Sequence, residues 1–145
     1  MMTDLDAESH LLIDGKLADA ASGATFANVN PATEEIIGHV ADAGAVDMDR
    51  AVGAARRAFD ETDWSTNRTL RRRCLQQLKD ALDRERETLR PQIVAEVGTP
   101  IMLTYAIQLD SCIEDLQWDI DLIDSYEWEQ DLPINEFMGM RSARR

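Results

Sequence analysis

Along the first forty residues, apolar positions come in short runs with a period near two. Leu11-Leu12-Ile13 runs into Asp14-Gly15, Thr25-Phe26-Ala27-Asn28-Val29 alternates, and Glu35-Ile36-Ile37-Gly38-His39-Val40 makes a third run. That spacing predicts strands. Asp14-Gly15 predicts a tight hairpin turn, because both residues tolerate positive φ. Asn30-Pro31-Ala32-Thr33 predicts a second turn, with proline fixing φ and asparagine bonding its own backbone. Together these segments predict a short antiparallel β-meander.

After Gly44 the period changes to 3.6. Met48, Val52, Ala55 and Phe59 fall on one helix face, with Asp47 placed to favour the helix N-terminus behind a cap at Gly44. Trp64-Ser65-Thr66 interrupts, and Ser65 or Thr66 is suited to cap the next helix. That helix carries Leu70, Cys74, Leu78 and Leu82 on one side and Arg71 to Arg73 on another. A third helix carries Leu89, Ile93 and Val97, with Pro91 tolerable in its first turn. Gly98 followed by Pro100 stops it. Leu109, Ile113, Leu116, Ile120 and Ile123 then mark a strongly amphipathic helix, whose apolar stripe must pack on something. If its partner is missing, the stripe makes the chain sticky or marginally stable. The expected class is α+β: a β-meander followed by three or four helices. No internal repeat, low-complexity segment or Gly/Ser linker divides the chain.

Charge sharpens the picture. The 145 residues hold 28 acids and 15 bases, a formal net charge of −13. Residues 91–140 carry eleven of those acids and no Lys or Arg. Such a balance argues against a nucleic-acid partner, since neutralising phosphates takes Lys and Arg. It argues equally against docking on an anionic membrane, and no apolar run approaches the length of a spanning helix. Two cysteines and an acidic start without a basic n-region fit a cytoplasmic protein.

The candidate chemistry is sparse. Cys74 lies in an apolar helical row. Cys112 is expected mid-helix among Asp110, Glu114 and Asp115, a setting that disfavours a thiolate. His10 and His39 have no second ligand at metal spacing. The seven glycines form no phosphate-binding turn. The helix carboxylates and Arg71-Arg72-Arg73 read as solvated faces. Trp64, Trp118 and Trp128 read as packing anchors.

Several segments in register resemble a known family. Leu12-Ile13-Asp14-Gly15-Lys16, Ala21-Ser22-Gly23 with Thr25-Phe26, Asn30-Pro31-Ala32-Thr33 and Asp47 through Phe59 resemble the opening of aldehyde dehydrogenases. Trp64, the helix from Arg68 to Leu82 and the break at Glu96-Val97-Gly98-Thr99-Pro100 continue the likeness. The resemblance implies the N-terminal part of an α/β enzyme that oxidises an aldehyde to an acid with NAD or NADP, by attack of a cysteine thiolate. The family's nucleophile segment, water-activating glutamate and Gly-rich cofactor turn have no counterpart here. Neither Cys74 nor Cys112 inherits the nucleophile's role. The resemblance therefore implies no catalytic or cofactor-binding residue in this chain, and no cofactor binding by it alone. Aldehyde is a substrate only of the complete enzyme.

By the same resemblance, residues 1–10 form a disordered N-terminus and 11–131 a portion of the cofactor-binding domain. Residues 132–145 begin the oligomerisation strands. The resemblance also carries over a monovalent-cation site at Asn28, Val29 and Glu96, where Glu replaces the family's Asp and Thr99 its Lys. An alternative reading is a non-catalytic module that associates with other dehydrogenase subunits.

Overall fold

The computed structural model describes residues 9–131, Gly139 and the pair Ala143–Arg144. The disordered N-terminus expected over residues 1–10 lies largely outside the described residues, as does most of the strand region expected over 132–145.

Asp14 and Gly15 close the first hairpin at φ 56° and 71°. The flanking strands β1 (Leu11–Ile13) and β2 (Lys16–Ala18) pair antiparallel, with Ile13 opposite Lys16. Both positive φ values are what a type I′ turn needs to match strand twist. The second hairpin joins β3 (Thr25–Val29) to β4 (Ile36–Ala41). In its turn the Asn30 carboxamide oxygen accepts from the Ala32 and Thr33 amides at 2.9 and 3.3 Å. The pairing shifts between Asn28, opposite Gly38, and Val29, opposite Ile36, so β4 carries one extra residue there.

The α+β class is observed, but two separate hairpins stand where one meander is expected. The cause is a contact that strand periodicity does not reveal. Between β2 and β3 the chain turns at Ala20–Gly23, and the Ala21 amide there donates to both carboxylate oxygens of Asp47, at 3.0 and 3.2 Å. The loop is thus tied to the first helix instead of closing a β2–β3 pairing.

Five helices follow. The first, α1 (Ala45–Glu61), starts at Gly44, whose amide donates to Asp47 Oδ2 at 3.1 Å. The next, α2 (Arg68–Arg84), is capped by Asn67, not by Ser65 or Thr66. A 3₁₀ turn at Asp63–Ser65 occupies those residues, and Asn67 Oδ1 accepts from the Leu70 amide at 2.9 Å. After a break at Glu85, α3 (Arg86–Val97) places Pro91 in its second turn, a turn later than expected. Gly98 ends α3 in the left-handed region, at φ 69°. The short α4 (Ile101–Thr104) precedes α5 (Asp110–Ser125). A two-residue pairing of β5 (Gln130–Asp131) with β6 (Ala143–Arg144) completes the described elements.

The core lies between α2 and α5. Leu109, Ile113, Ile120 and Ile123 are buried, and α5 packs chiefly on α2. The stripe of α5 therefore has its partner. Among the described residues the exposed apolar face belongs to α1, where Met48 is 62 % and Val52 60 % exposed, and Phe59 is exposed on the same helix. Periodicity marks both helices as amphipathic but does not say which face finds a neighbour.

Arg71 and Arg72 are not a merely solvated face. Arg72 Nε lies 3.0 Å from Asp124 Oδ2 of α5, and Arg71 stacks 4.7 Å from the Trp128 ring centre. Trp128 donates to the Ile123 carbonyl at 3.1 Å and meets Tyr126 edge to face. It acts as the expected anchor, whereas Trp64 and Trp118 are exposed.

Candidate functional site

The residues carried over as a cation site belong to two elements that meet at one corner. Asn28 sits at the irregularity of β3, and Glu96 is the penultimate residue of α3. The Asn28 side-chain amide donates to Glu96 Oε1 at 3.1 Å. Both residues line a pocket of about 30 Å³ with His39 and Gln92. Val29 follows Asn28, with its side chain exposed.

Gly98 lets the two elements approach. A Cβ there would stand 2.9 Å from Pro31 Cγ, and the positive φ disfavours any other residue. Chemically the corner offers one exposed carboxylate, already accepting a hydrogen bond, and neutral oxygens near it. That donor set suits a hard, singly charged ion held weakly. Among the described residues no three His, Cys, Asp or Glu side chains gather as a metal centre would need.

The more elaborate polar cluster surrounds Arg90, which periodicity does not single out. Arg90 is 3 % exposed. Its guanidinium donates to both Glu87 oxygens at 2.8 and 3.3 Å, to Thr104 Oγ1 at 3.1 Å and to Asp110 Oδ1 at 3.0 Å. It lies over the Tyr105 ring, 3.7 Å from the centre. Arg86 adds a second cation 3.4 Å from Asp110. The local Glu87–Arg90 spacing is visible in the sequence, but Asp110 lies twenty residues on. Geometrically the cluster locks α3, α4 and the start of α5 together.

The hydrogen bonds from Arg90 hold the Glu87 carboxyl below its ordinary range, and those same bonds, with Asp110, hold Arg90 above its own. A carboxyl depressed in the folded chain contributes stability at pH values above its unfolded pKa of about 4.3. The contribution disappears as pH falls through the lower folded value. In an NMR titration Glu87 is expected to protonate below the ordinary glutamate range, and to move back toward it in Arg90→Gln. An unmoved Glu87 titration in that variant would contradict the assignment.

The two cysteines lie on different helices. Cys74 is half-buried on α2. Cys112 lies in the first turn of α5, not mid-helix, because the helix begins only at Asp110; its thiol contacts the Ile107 carbonyl at 3.3 Å. His10 lies 3.7 Å from Asp19, and His39 belongs to β4.

This succession of hairpins and helices occurs in known proteins. The family model "Aldehyde dehydrogenase family" matches residues 18–143. The chain belongs to the aldehyde dehydrogenase family. It is 36% identical over 121 residues to the aminoacetaldehyde dehydrogenase of Pseudomonas aeruginosa, covering 83% of this chain and 24% of that protein. It is 34% identical over 129 residues to the mitochondrial aldehyde dehydrogenase of Sus scrofa, covering 88% and 25%.

Among solved structures, the NAD+ complex of aldehyde dehydrogenase from Bacillus cereus superposes with a TM-score of 0.81 at 28% identity, over 91% of this chain and 27% of that one. Aldehyde dehydrogenase C of Pseudomonas syringae, solved with NAD+ and octanal, gives 0.77 at 33% identity, over 85% and 25%. The chain thus spans about a quarter of the length of the relatives it matches. No helix among the described residues is long and apolar enough to cross a membrane.

Proposed function

We propose that these 145 residues are the N-terminal quarter of a cytoplasmic, NAD- or NADP-dependent enzyme that oxidises an aldehyde to a carboxylic acid, and that by themselves they do not catalyse the reaction. The observation that carries this reading is the family match over residues 18–143 at a quarter of the relatives' length. The chemistry of the residues supports it. Covalent oxidation of an aldehyde needs an activated thiolate and a base for water. The two thiols here are a half-buried Cys74 and a Cys112 whose sulfur faces a backbone carbonyl. Residues 11–131 then form the flank of the cofactor-binding domain, and 132–145 lead into the oligomerisation strands. Nucleic acid and membrane are not partners in this reading.

The corner at Asn28 is part of the proposal. The Asn28 and Val29 carbonyls with the Glu96 carboxylate form a weak monovalent-cation site, entered when the Asn28 amide turns away from Glu96. A bound cation would supply charge neutralisation at Glu96 and fix the β3 turn against α3.

The second reading is a non-catalytic module that associates with another dehydrogenase subunit. The exposed apolar face of α1, Met48, Val52 and Phe59, favours it. The two readings share one test. The purified chain is assayed for aldehyde-dependent reduction of NAD+ and NADP+, alone and with a purified family enzyme. No reduction by the chain alone is expected. Reduction above the enzyme-free blank would overturn the proposed inactivity. Altered turnover or co-elution of the added enzyme would favour the second reading.

A further inference from the structure

Between the β1–β2 hairpin and α1 lies a pocket of about 350 Å³, lined by Lys16, Arg50 and Arg57, with Ile13 and Leu17 as apolar wall and Asp14 as its one acid. Its charge is opposite to that of the molecule, whose net is −13. Arg50 and Arg57 stand two helical turns apart, so they share one face of α1. Each is steadied by one nitrogen: Arg50 Nη1 lies 3.3 Å from Asp47 Oδ1, and Arg57 Nη2 lies 3.3 Å from Asp14 Oδ2. A guanidinium carries five N–H donors, so each arginine keeps donors for a further acceptor.

Gly53 adds an independent observation. It sits between the two arginines on the same face, in the interior of a helix where glycine is unfavourable. A Cβ there would stand 3.7 Å from Arg57 Nη1. A side chain longer than alanine at this position would crowd the Arg57 guanidinium. The volume falls in the range of small-molecule pockets.

We propose that this pocket binds a small, multiply charged anion bearing carboxylate or phosphate groups, through charge-assisted hydrogen bonds from Arg50 and Arg57 and the charge of Lys16. Arginine presents a paired edge to both carboxylate and phosphate oxygens, so either chemistry satisfies the same donors. The site shares no residue with the Asn28–Glu96 corner.

The test is calorimetric titration of the full chain with two probes, inorganic pyrophosphate and succinate, at low ionic strength. Saturable binding with a dissociation constant of about 1 mM or tighter is expected for at least one. Pyrophosphate alone identifies a phosphate-bearing ligand, succinate alone a dicarboxylate, and both together a site that reads charge. Arg57→Gln should weaken binding about tenfold, and added salt should weaken it further. Gly53→Leu should weaken it by crowding the Arg57 guanidinium, and circular dichroism of the variant separates this from a folding defect. Arg72→Gln on α2 should leave it unchanged. No saturable binding of either probe, or binding that survives both Arg57→Gln and Gly53→Leu, would overturn the proposal.

Discussion

Replacing Ile120 by alanine is expected to cost the chain about 2–5 kcal/mol of unfolding free energy, the range for truncating a fully buried isoleucine. Ile120 is 0 % exposed on the inner face of α5. The loss combines the transfer energy of the deleted methylenes with the cavity left between α5 and α2. The cavity closes only partly, because α5 is held near both of its ends. Arg72 ties the C-terminal part of α5 to α2 through Asp124, and Arg90 ties its start through Asp110. Few large apolar side chains are buried among the described residues, so none can take over. Against a typical domain stability of about 5–15 kcal/mol, the loss takes a large share. Trp118→Ala on the same helix removes a bigger side chain, but one that is 67 % exposed, and should change stability by about 0.5 kcal/mol or less. Urea unfolding followed by circular dichroism checks both. Equal shifts for the two variants would mean that α5 does not pack on α2 as described.

The contrast between α5 and α1 shows how far the sequence is legible. Local rules did well. Asp14-Gly15 makes its turn because positive φ is a property of those two residues. Asn30 bonds the Ala32 amide within its own turn, and Gly98 ends α3, for equally local reasons. Helix periodicity located α1 and α5 because the spacing of apolar residues is written in the chain. It could not say that Ile113 and Ile120 would be buried while Met48 and Val52 stay exposed, since that depends on which element lies opposite. The break at Glu85 has no glycine or proline to announce it.

The candidate site divides the same way. The likeness to aldehyde dehydrogenases selected Asn28 and Glu96, and the fold brings their side chains to 3.1 Å. Arg90 stayed hidden, because its value comes from Asp110 and Thr104, neither of which is near it in sequence. In the run Arg71-Arg72-Arg73, Arg73 is exposed as expected, while Arg71 and Arg72 depart from a solvated face for a related reason. An arginine row looks solvated until Asp124 and Trp128 arrive from elsewhere in the chain.

Asp47→Ala is expected to be nearly as damaging as the core truncation, by a different route. Asp47 is 1 % exposed. Its carboxylate accepts from the Gly44 amide at the start of α1, from the Ala21 amide of the preceding loop, and from Arg50. Alanine removes the acceptor for two backbone donors at once. Loss of the helix-start contact costs about 0.5–2 kcal/mol, and loss of the part-buried bond to the Ala21 amide costs about 0.5–1.5 kcal/mol, since Ala21 itself is exposed to water. Together these place the variant about 1–3.5 kcal/mol below the parent. Asp47→Asn should recover only part of this, because its amide group must turn toward another donor. Hydrogen exchange separates this role from ordinary helix capping. A cap alone would expose Gly44 and the first turn of α1, whereas the structure requires the Ala21 amide to lose protection as well. Unchanged Ala21 protection in Asp47→Ala would show that the loop is held by something else, and the division of the strands into two hairpins would then need another cause.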